Sequence, residues 1–160
     1  MDIGGGASTL VDQLLARGFT RITVVDVAEA ALDVARNRLG PRGEAVGWHV
    51  ADVRQLDLGD EVDFWHDRAV FHFLTTSTDH EAYLSVLRET LRIGGHAMIA
   101  TFGLRGPEKC SGLPVERYDA EKLLDRLGVG FTQRRALERR HVTPSGATQE
   151  FTYGLFERTA

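Results

Sequence analysis

Apolar positions recur along this chain with two periods, one helical and one strand-like, in alternation. Leu10, Leu14 and Leu15 share one face of a helical stretch that begins near Thr9. Arg21-Ile22-Thr23-Val24-Val25-Asp26 then reads as a short buried strand, β-branched and ending in a carboxylate. The spacing of Ala31, Leu32, Ala35 and Leu39 predicts a helix over 28–39, stopped by Gly40-Pro41. A third strand is expected over 45–50, leading into Ala51-Asp52-Val53, and a fourth over 62–66, running into Asp67-Arg68. Tyr83, Leu84, Leu87 and Leu91 predict a helix over 79–92, with Gly94-Gly95 closing it and a fifth strand over 96–102. Another helix is expected over 119–127. Two long strands, 131–142 and 149–157, are expected to follow, joined by Pro144-Ser145-Gly146 as a tight turn.

Strands that alternate with helices form a parallel sheet with right-handed crossovers. The last two strands, joined by so short a turn, must run antiparallel. The pattern therefore predicts one α/β domain over 1–160, a doubly wound, mostly parallel sheet of the seven-stranded type that ends in a β-hairpin. Ligands of such sheets sit at the carboxyl ends of the strands. The turn Asp2-Ile3-Gly4-Gly5-Gly6-Ala7-Ser8, Asp26, Asp52 and the His66-Asp67 turn all fall there. The strand before the glycines is reduced to Met1-Asp2-Ile3, where a central strand is ordinarily five or so residues long. This truncated first strand leads to the expectation that the native chain begins further upstream and that the added residues would raise stability.

Composition narrows the function classes. Hydrophobic residues make up 42% of the 160 positions and charged residues 26%, ordinary values for a soluble globular protein. A net charge of −4 gives no electrostatic footprint for nucleic acid or for an anionic membrane. The single cysteine, Cys110, excludes an internal disulfide and a cysteine-based zinc site, and no histidine spacing supports another metal. No apolar run approaches the length of a membrane span and no signal peptide opens the chain, so a cytoplasmic protein is expected.

The glycine turn lets the backbone leave a strand sharply and approach a ligand that a side chain would repel. Taken with the strand-end acids, it resembles the class I S-adenosylmethionine-dependent methyltransferases, whose fold is Rossmann-like. Asp2-Ile3-Gly4-Gly5-Gly6 is similar to that family's acidic-x-Gly-x-Gly opening, Asp26 to the acid ending its second strand, and Asp52 to the acid after its third. Residues 63–74 resemble its fourth-strand motif. Arg92-Ile93-Gly94-Gly95-His96 resembles its turn before the fifth strand, with Ile93 where proline is usual. Ser8 stands where the family usually has a further glycine. The closing hairpin is foreign to dinucleotide-binding domains.

The resemblance implies S-adenosyl-L-methionine as cofactor, held by Asp2, Gly4, Gly5, Gly6, Asp26, Val27, Asp52, Val53 and Asp67. A carboxylate at Asp26 can accept both ribose hydroxyls of an adenosyl group. Asp52 can take the adenine amine, with Val53 or Leu56 against the ring, and Asp2 would favour the ligand's ammonium charge. Methyl transfer is an in-line displacement that needs alignment, and a base where the nucleophile carries a proton. His66, Asp67 and His72 are candidates for that base, His66 first because its ordinary pKa lies nearest neutrality. Arg68, His72 and Cys110 are candidate contacts to the acceptor, a small molecule or a protein side chain. The long connection 103–118 is expected to overhang the site. Arg134-Arg135 and Arg139-Arg140 read as exposed faces of an edge strand. Two other classes compete: a non-catalytic binding module that keeps part of the cofactor pocket, and a nicotinamide-dependent oxidoreductase, which would want glycine in place of Thr9.

Overall fold

A computed structural model describes residues 1–143 and 146–160, and its elements follow the alternation of apolar periods. They are β1 (Asp2–Ile3), α1 (Leu10–Ala16), β2 (Ile22–Asp26), α2 (Glu29–Leu39), β3 (Val46–Val50), β4 (Val62–Arg68) and α3 (Ser77–Thr90). After these come β5 (Leu91–Phe102), β6 (Lys109–Cys110), β7 (Leu113–Pro114), α4 (Ala120–Leu127), β8 (Phe131–Val142) and β9 (Thr148–Arg158). Seven strands form one sheet in the order β3-β2-β1-β4-β5-β9-β8. The first five are parallel to their neighbours, whereas β9 is antiparallel to both β5 and β8. The doubly wound sheet with its antiparallel end is therefore present, although Pro144 and Ser145 of the expected turn lie outside the described residues.

Period-two alternation divides the core between two faces. Ile22 and Val24 of β2 pack with Val11, Leu32 and Leu39 beneath α1 and α2. Val25 faces the other way, with Ile3, Trp65, Tyr83 and Leu123 beneath α3 and α4. The outermost strand, β8, carries Arg134, Arg135, Arg139 and Arg140 exposed on a charged sheet edge. Among the described residues no helix is long and apolar enough to cross a membrane.

Helix α3 differs from the sequence reading at both ends, and β4 and β5 are longer than expected. Helix α3 starts at Ser77, because the Thr76 hydroxyl accepts the Asp79 N–H at 3.1 Å and donates to the Asp79 carboxylate at 2.7 Å. The same helix ends at Thr90, so Gly94 and Gly95 lie inside β5 and do not close it. A β-carbon on Gly95 would stand 2.8 Å from the Arg92 carbonyl and 3.1 Å from that of Asp63, so this glycine permits the close approach of β5 to β4. The β4–β5 register shifts at the same place, between Val62 and Phe64.

The α3 face of β4 holds a buried polar chain. Trp65 and Tyr83 are fully buried, with rings edge to face at 5.6 Å. The Trp65 indole N–H donates to the Tyr83 hydroxyl at 2.8 Å, and that hydroxyl donates to Asp67 Oδ2 at 2.7 Å. Asp67 is itself fully buried and accepts the backbone N–H groups of Val70 and Phe71. Burial pushes its carboxyl up to about 6, while the Tyr83 hydroxyl and the two amides act in the opposite direction. Tyr83→Phe removes a donor to a buried carboxylate and should destabilise the protein by about 1–3 kcal/mol. That hydroxyl favours the ionised carboxylate, so its contribution is complete above the folded pKa and fades as pH falls through it. Urea unfolding should therefore show a larger loss at pH 8 than at pH 5, and equal losses would show that Asp67 is not the ionised partner.

Candidate functional site

β1 is paired with β2 on one side and β4 on the other, and the chain leaves β1 and β4 toward opposite faces of the sheet. A crevice must open where it does so. The structure has a cleft of about 620 Å³ there. Six residues expected at a site line it: Gly4, Asp26, Val27, Asp52, Val53 and Arg68.

The glycine turn is shaped first by the protein's own packing. Gly4 and Gly5 both donate to the Val25 carbonyl, at 2.8 and 3.3 Å, which pins the turn to β2. Gly4 has φ +64°, and a β-carbon on it would lie 2.1 Å from Val70 Cγ2, so Val70 occupies the space that a side chain would need. Gly6 has φ +43°, and its β-carbon would stand 3.0 Å from Asp26 Oδ2. Gly5 and Gly6 do not line the cleft; Gly5 lies against Val24 and the Asp2 carboxylate.

At the end of β2, Asp26 Oδ1 accepts the Ala28 N–H at 2.8 Å, and Oδ2 has no protein donor among the described residues. Asp52 differs. Its Oδ1 accepts from the Arg54 backbone N–H and Nε at 2.9 and 3.0 Å, and its Oδ2 from Nε and Nη2 at 3.0 and 2.5 Å. Those hydrogen bonds hold the Asp52 carboxyl below the usual carboxylate range. Arg54 also reaches Asp79 on α3, so the far edge of the cleft is tied to that helix. Arg54 was not foreseen; an aspartate that accepts the N–H two residues on is an Asx-type turn, which signals the turn but not the arginine.

The turn after β4 forms the opposite wall. Asp67 accepts the Val70 and Phe71 amides, and between them Ala69 is held at φ +69° with its N–H on the Ala100 carbonyl at 2.8 Å. A non-glycine residue there costs about 1–2 kcal/mol, stored strain of a kind that clusters at functional sites. Ala69, Val70, Phe73 and Leu74 all line the cleft. Of the connection 103–118, Leu113 and Pro114 reach it, carried by a small hairpin of β6 and β7 that turns through Ser111 and Gly112, both at positive φ.

Several expected residues lie elsewhere. His66 sits within β4 and points to the α1 face, where its Nδ1 lies 2.6 Å from Asp2 Oδ1. Both line a second cavity of about 610 Å³ with Leu10, Leu14, Phe19 and Phe64, and neither reaches the cleft. His66, expected as proton acceptor, and Asp2, expected beside a ligand's ammonium group, are thus lined up on the second cavity, with Asp2 still against the glycine turn. His66 and Asp2 are register partners on the same side of the sheet, and His66 lies two residues short of the end of β4 at Arg68, which does line the cleft. Asp67, foreseen both as a base and as a cofactor contact, is sealed in the core and organises the turn. His72 is also fully buried, between Phe73 and Phe102. Its Nδ1 accepts the Phe102 N–H at 3.3 Å, and burial lowers its pKa to about 4, so it is a neutral structural acceptor and not an acceptor contact. Cys110 is half-buried on β6, packed near Phe102 and Phe151, away from the cleft lining. Leu56 belongs to the core.

Comparison with known proteins gives this geometry a context. A family model described as a methyltransferase domain matches residues 1–95, more than half of the chain. The chain is 31% identical over 105 residues to the ubiquinone/menaquinone biosynthesis C-methyltransferase UbiE of Acidiphilium cryptum, covering 64% of this chain and 41% of that protein. It thus spans about two fifths of that relative's length. Among solved structures, the N-methyltransferase NodS of Bradyrhizobium japonicum, in complex with S-adenosyl-L-homocysteine, superposes with a TM-score of 0.75 at 18% identity, covering 99% of this chain and 76% of that one. The 1,6-didemethyltoxoflavin-N1-methyltransferase of Burkholderia thailandensis, with 1,6-didemethyltoxoflavin and S-adenosylhomocysteine bound, gives 0.76 at 22% identity, covering 99% of this chain and 70% of that one. These likenesses establish a shared fold. The match over residues 1–95 spans the glycine turn, both strand-end acids and the turn after β4, and by it the chain belongs to the methyltransferase domain family.

Proposed function

We propose that this chain transfers a methyl group from S-adenosyl-L-methionine, the expected cofactor, to a small-molecule or protein side-chain acceptor in the cleft at the carboxyl ends of β1 to β4. The observation that carries this reading is Asp26 Oδ2, a carboxylate oxygen without a protein donor at the end of β2, beside Gly6 and within a cleft of suitable size for a nucleoside. The residues present fit the group. Asp26 can accept ribose hydroxyls, the backbone of the Gly4 turn can approach the amino-acid portion, and Val27 and Val53 offer apolar surface to a base. Three N–H groups of Arg54 are directed at Asp52, whose side chain is 30% exposed, so it holds that edge in shape and keeps room to accept one further donor such as the adenine amine.

When bound, the cofactor supplies an electrophilic methyl carbon on a sulfonium. The chain supplies orientation and the exclusion of water from an apolar wall of Val70, Phe73, Leu74, Leu113 and Pro114. None of the three foreseen bases faces the cleft: His66 is on the α1 face, and Asp67 and His72 are buried. Alignment therefore carries the reaction, with an acceptor that is already a competent nucleophile.

Two outcomes test this reading. Asp26→Ala should weaken S-adenosylhomocysteine binding roughly 10- to 150-fold, the equivalent of about 1.5–3 kcal/mol for a hydrogen bond to a charged group, with little change in melting temperature. Calorimetry showing undiminished affinity in this variant would remove Asp26 from the site. Gly6→Val places a branched side chain at φ +43° and against the Asp26 carboxylate, so binding should be lost to a greater extent than stability. If melting temperature and affinity fell in proportion, Gly6 would serve the fold alone.

A further inference from the structure

Two arginines line the cleft, and their guanidinium groups are held differently. Arg54 is saturated by Asp52 and Asp79. Arg68, at the end of β4, has no carboxylate within ion-pair distance among the described residues. Its Nε donates to the Tyr153 hydroxyl at 3.3 Å, and its Cζ lies 4.9 Å from the centre of the Phe151 ring. Both aromatic residues belong to β9, which pairs with β5 beside β4. The head group is thus fixed by an aromatic platform on one side while Nη1 and Nη2 have no protein acceptor among the described residues. A planar donor fork held in this way matches a carboxylate or a similar anion. The next residue, Ala69, is the strained one at φ +69°. Across β1, on β2, stands Asp26 with its unsatisfied oxygen, so the cleft accepts hydrogen bonds at one end and donates them at the other. Between and around them the lining is apolar, with Val70, Phe73, Leu113 and Pro114.

We propose that Arg68, braced by Tyr153 and Phe151, is the anion-recognising end of the cleft, and that the methyl acceptor is a small molecule with an apolar body and an anionic group. This inference rests on the proposed function and narrows its acceptor class. A carboxylate could also come from the amino-acid portion of the donor, and the experiment separates the two sources.

Calorimetric titrations would use S-adenosylhomocysteine and 5′-methylthioadenosine, which lacks the amino-acid carboxylate, followed by benzoate and benzamide on protein saturated with S-adenosylhomocysteine. Benzoate should bind the wild type about tenfold or more tightly than benzamide. Arg68→Gln should abolish that preference, Arg68→Lys should retain part of it, and both variants should bind S-adenosylhomocysteine within twofold of the wild type. The inference is overturned if benzoate and benzamide bind alike, or if neither binds. It is also overturned if Arg68→Gln weakens S-adenosylhomocysteine and spares 5′-methylthioadenosine, because the guanidinium then serves the donor's own carboxylate. Failure of the wild type to bind S-adenosylhomocysteine at all would overturn the proposed function and this inference with it, whereas normal donor binding without a benzoate preference removes this inference alone.

Discussion

The contact between Val70 and the bare α-carbon of Gly4 sets the shape of the cleft. Val70 Cγ2 stands where a β-carbon of Gly4 would be, so the turn leaving β1 and the turn leaving β4 interlock at the point where the sheet reverses its winding. Neither turn could hold this arrangement alone. The β1 turn is tied to β2 through the Val25 carbonyl. The β4 turn is tied to the core through Asp67, whose carboxylate gathers the Val70 and Phe71 amides and is itself gripped by Tyr83 and, behind it, Trp65. A carboxylate buried this deeply costs free energy unless its lone pairs are used. Here they are used to fix a turn, so the polar chain beneath α3 positions a wall of the cleft without entering it.

The charges of the cleft follow from the same frame. Asp52 and Arg54 neutralise one another at the β3 edge and, through Asp79, attach that edge to α3. Among the described residues, Asp26 on β2 and Arg68 on β4 keep hydrogen-bonding capacity that the protein itself does not use. One accepts and the other donates, with β1 and its glycine turn between them. A polar molecule with hydroxyls at one end and negative charge at the other suits such a cleft better than one of uniform polarity.

Much of this was legible in the sequence, and the remainder fails for identifiable reasons. The alternation of periods was enough for the doubly wound sheet, and the short closing turn for its antiparallel end. Glycines followed by a helix, with acids at successive strand ends, marked Gly4, Asp26, Asp52 and their neighbours Val27 and Val53. What could not be read was the face on which each residue of β4 would fall. A slip of one position exchanges the two faces, and a cluster such as Trp65-His66-Asp67-Arg68-Ala69-Val70-Phe71-His72 offers polar residues to both. Trp65 supplied a usable signal: a tryptophan destined for the core places Asp67, two residues on, beside it, and sends His66 to the opposite side. Nothing in the sequence distinguishes a strand-end carboxylate that meets solvent, such as Asp26, from one that caps a turn from within, such as Asp67. The partner that decides it, Tyr83, is 16 residues away on α3. The start of α3 was legible in retrospect from Thr76 and Asp79, a capping pair that apolar spacing alone does not reveal.

The central claim is that a nucleoside-bearing donor occupies the cleft at the carboxyl ends of β1 to β4, and not the second cavity of nearly equal size on the α1 face. Amide hydrogen exchange with and without S-adenosylhomocysteine tests it most directly, because it reports where the ligand lies without requiring an acceptor. The account predicts added protection at the Gly4–Gly6 turn, at residues 26–28 and 51–54, and at the turn 69–71, with exchange along β8 unchanged. Protection confined to the surroundings of Phe19, Phe64 and His66, or no change at the glycine turn while the ligand is bound, would contradict it.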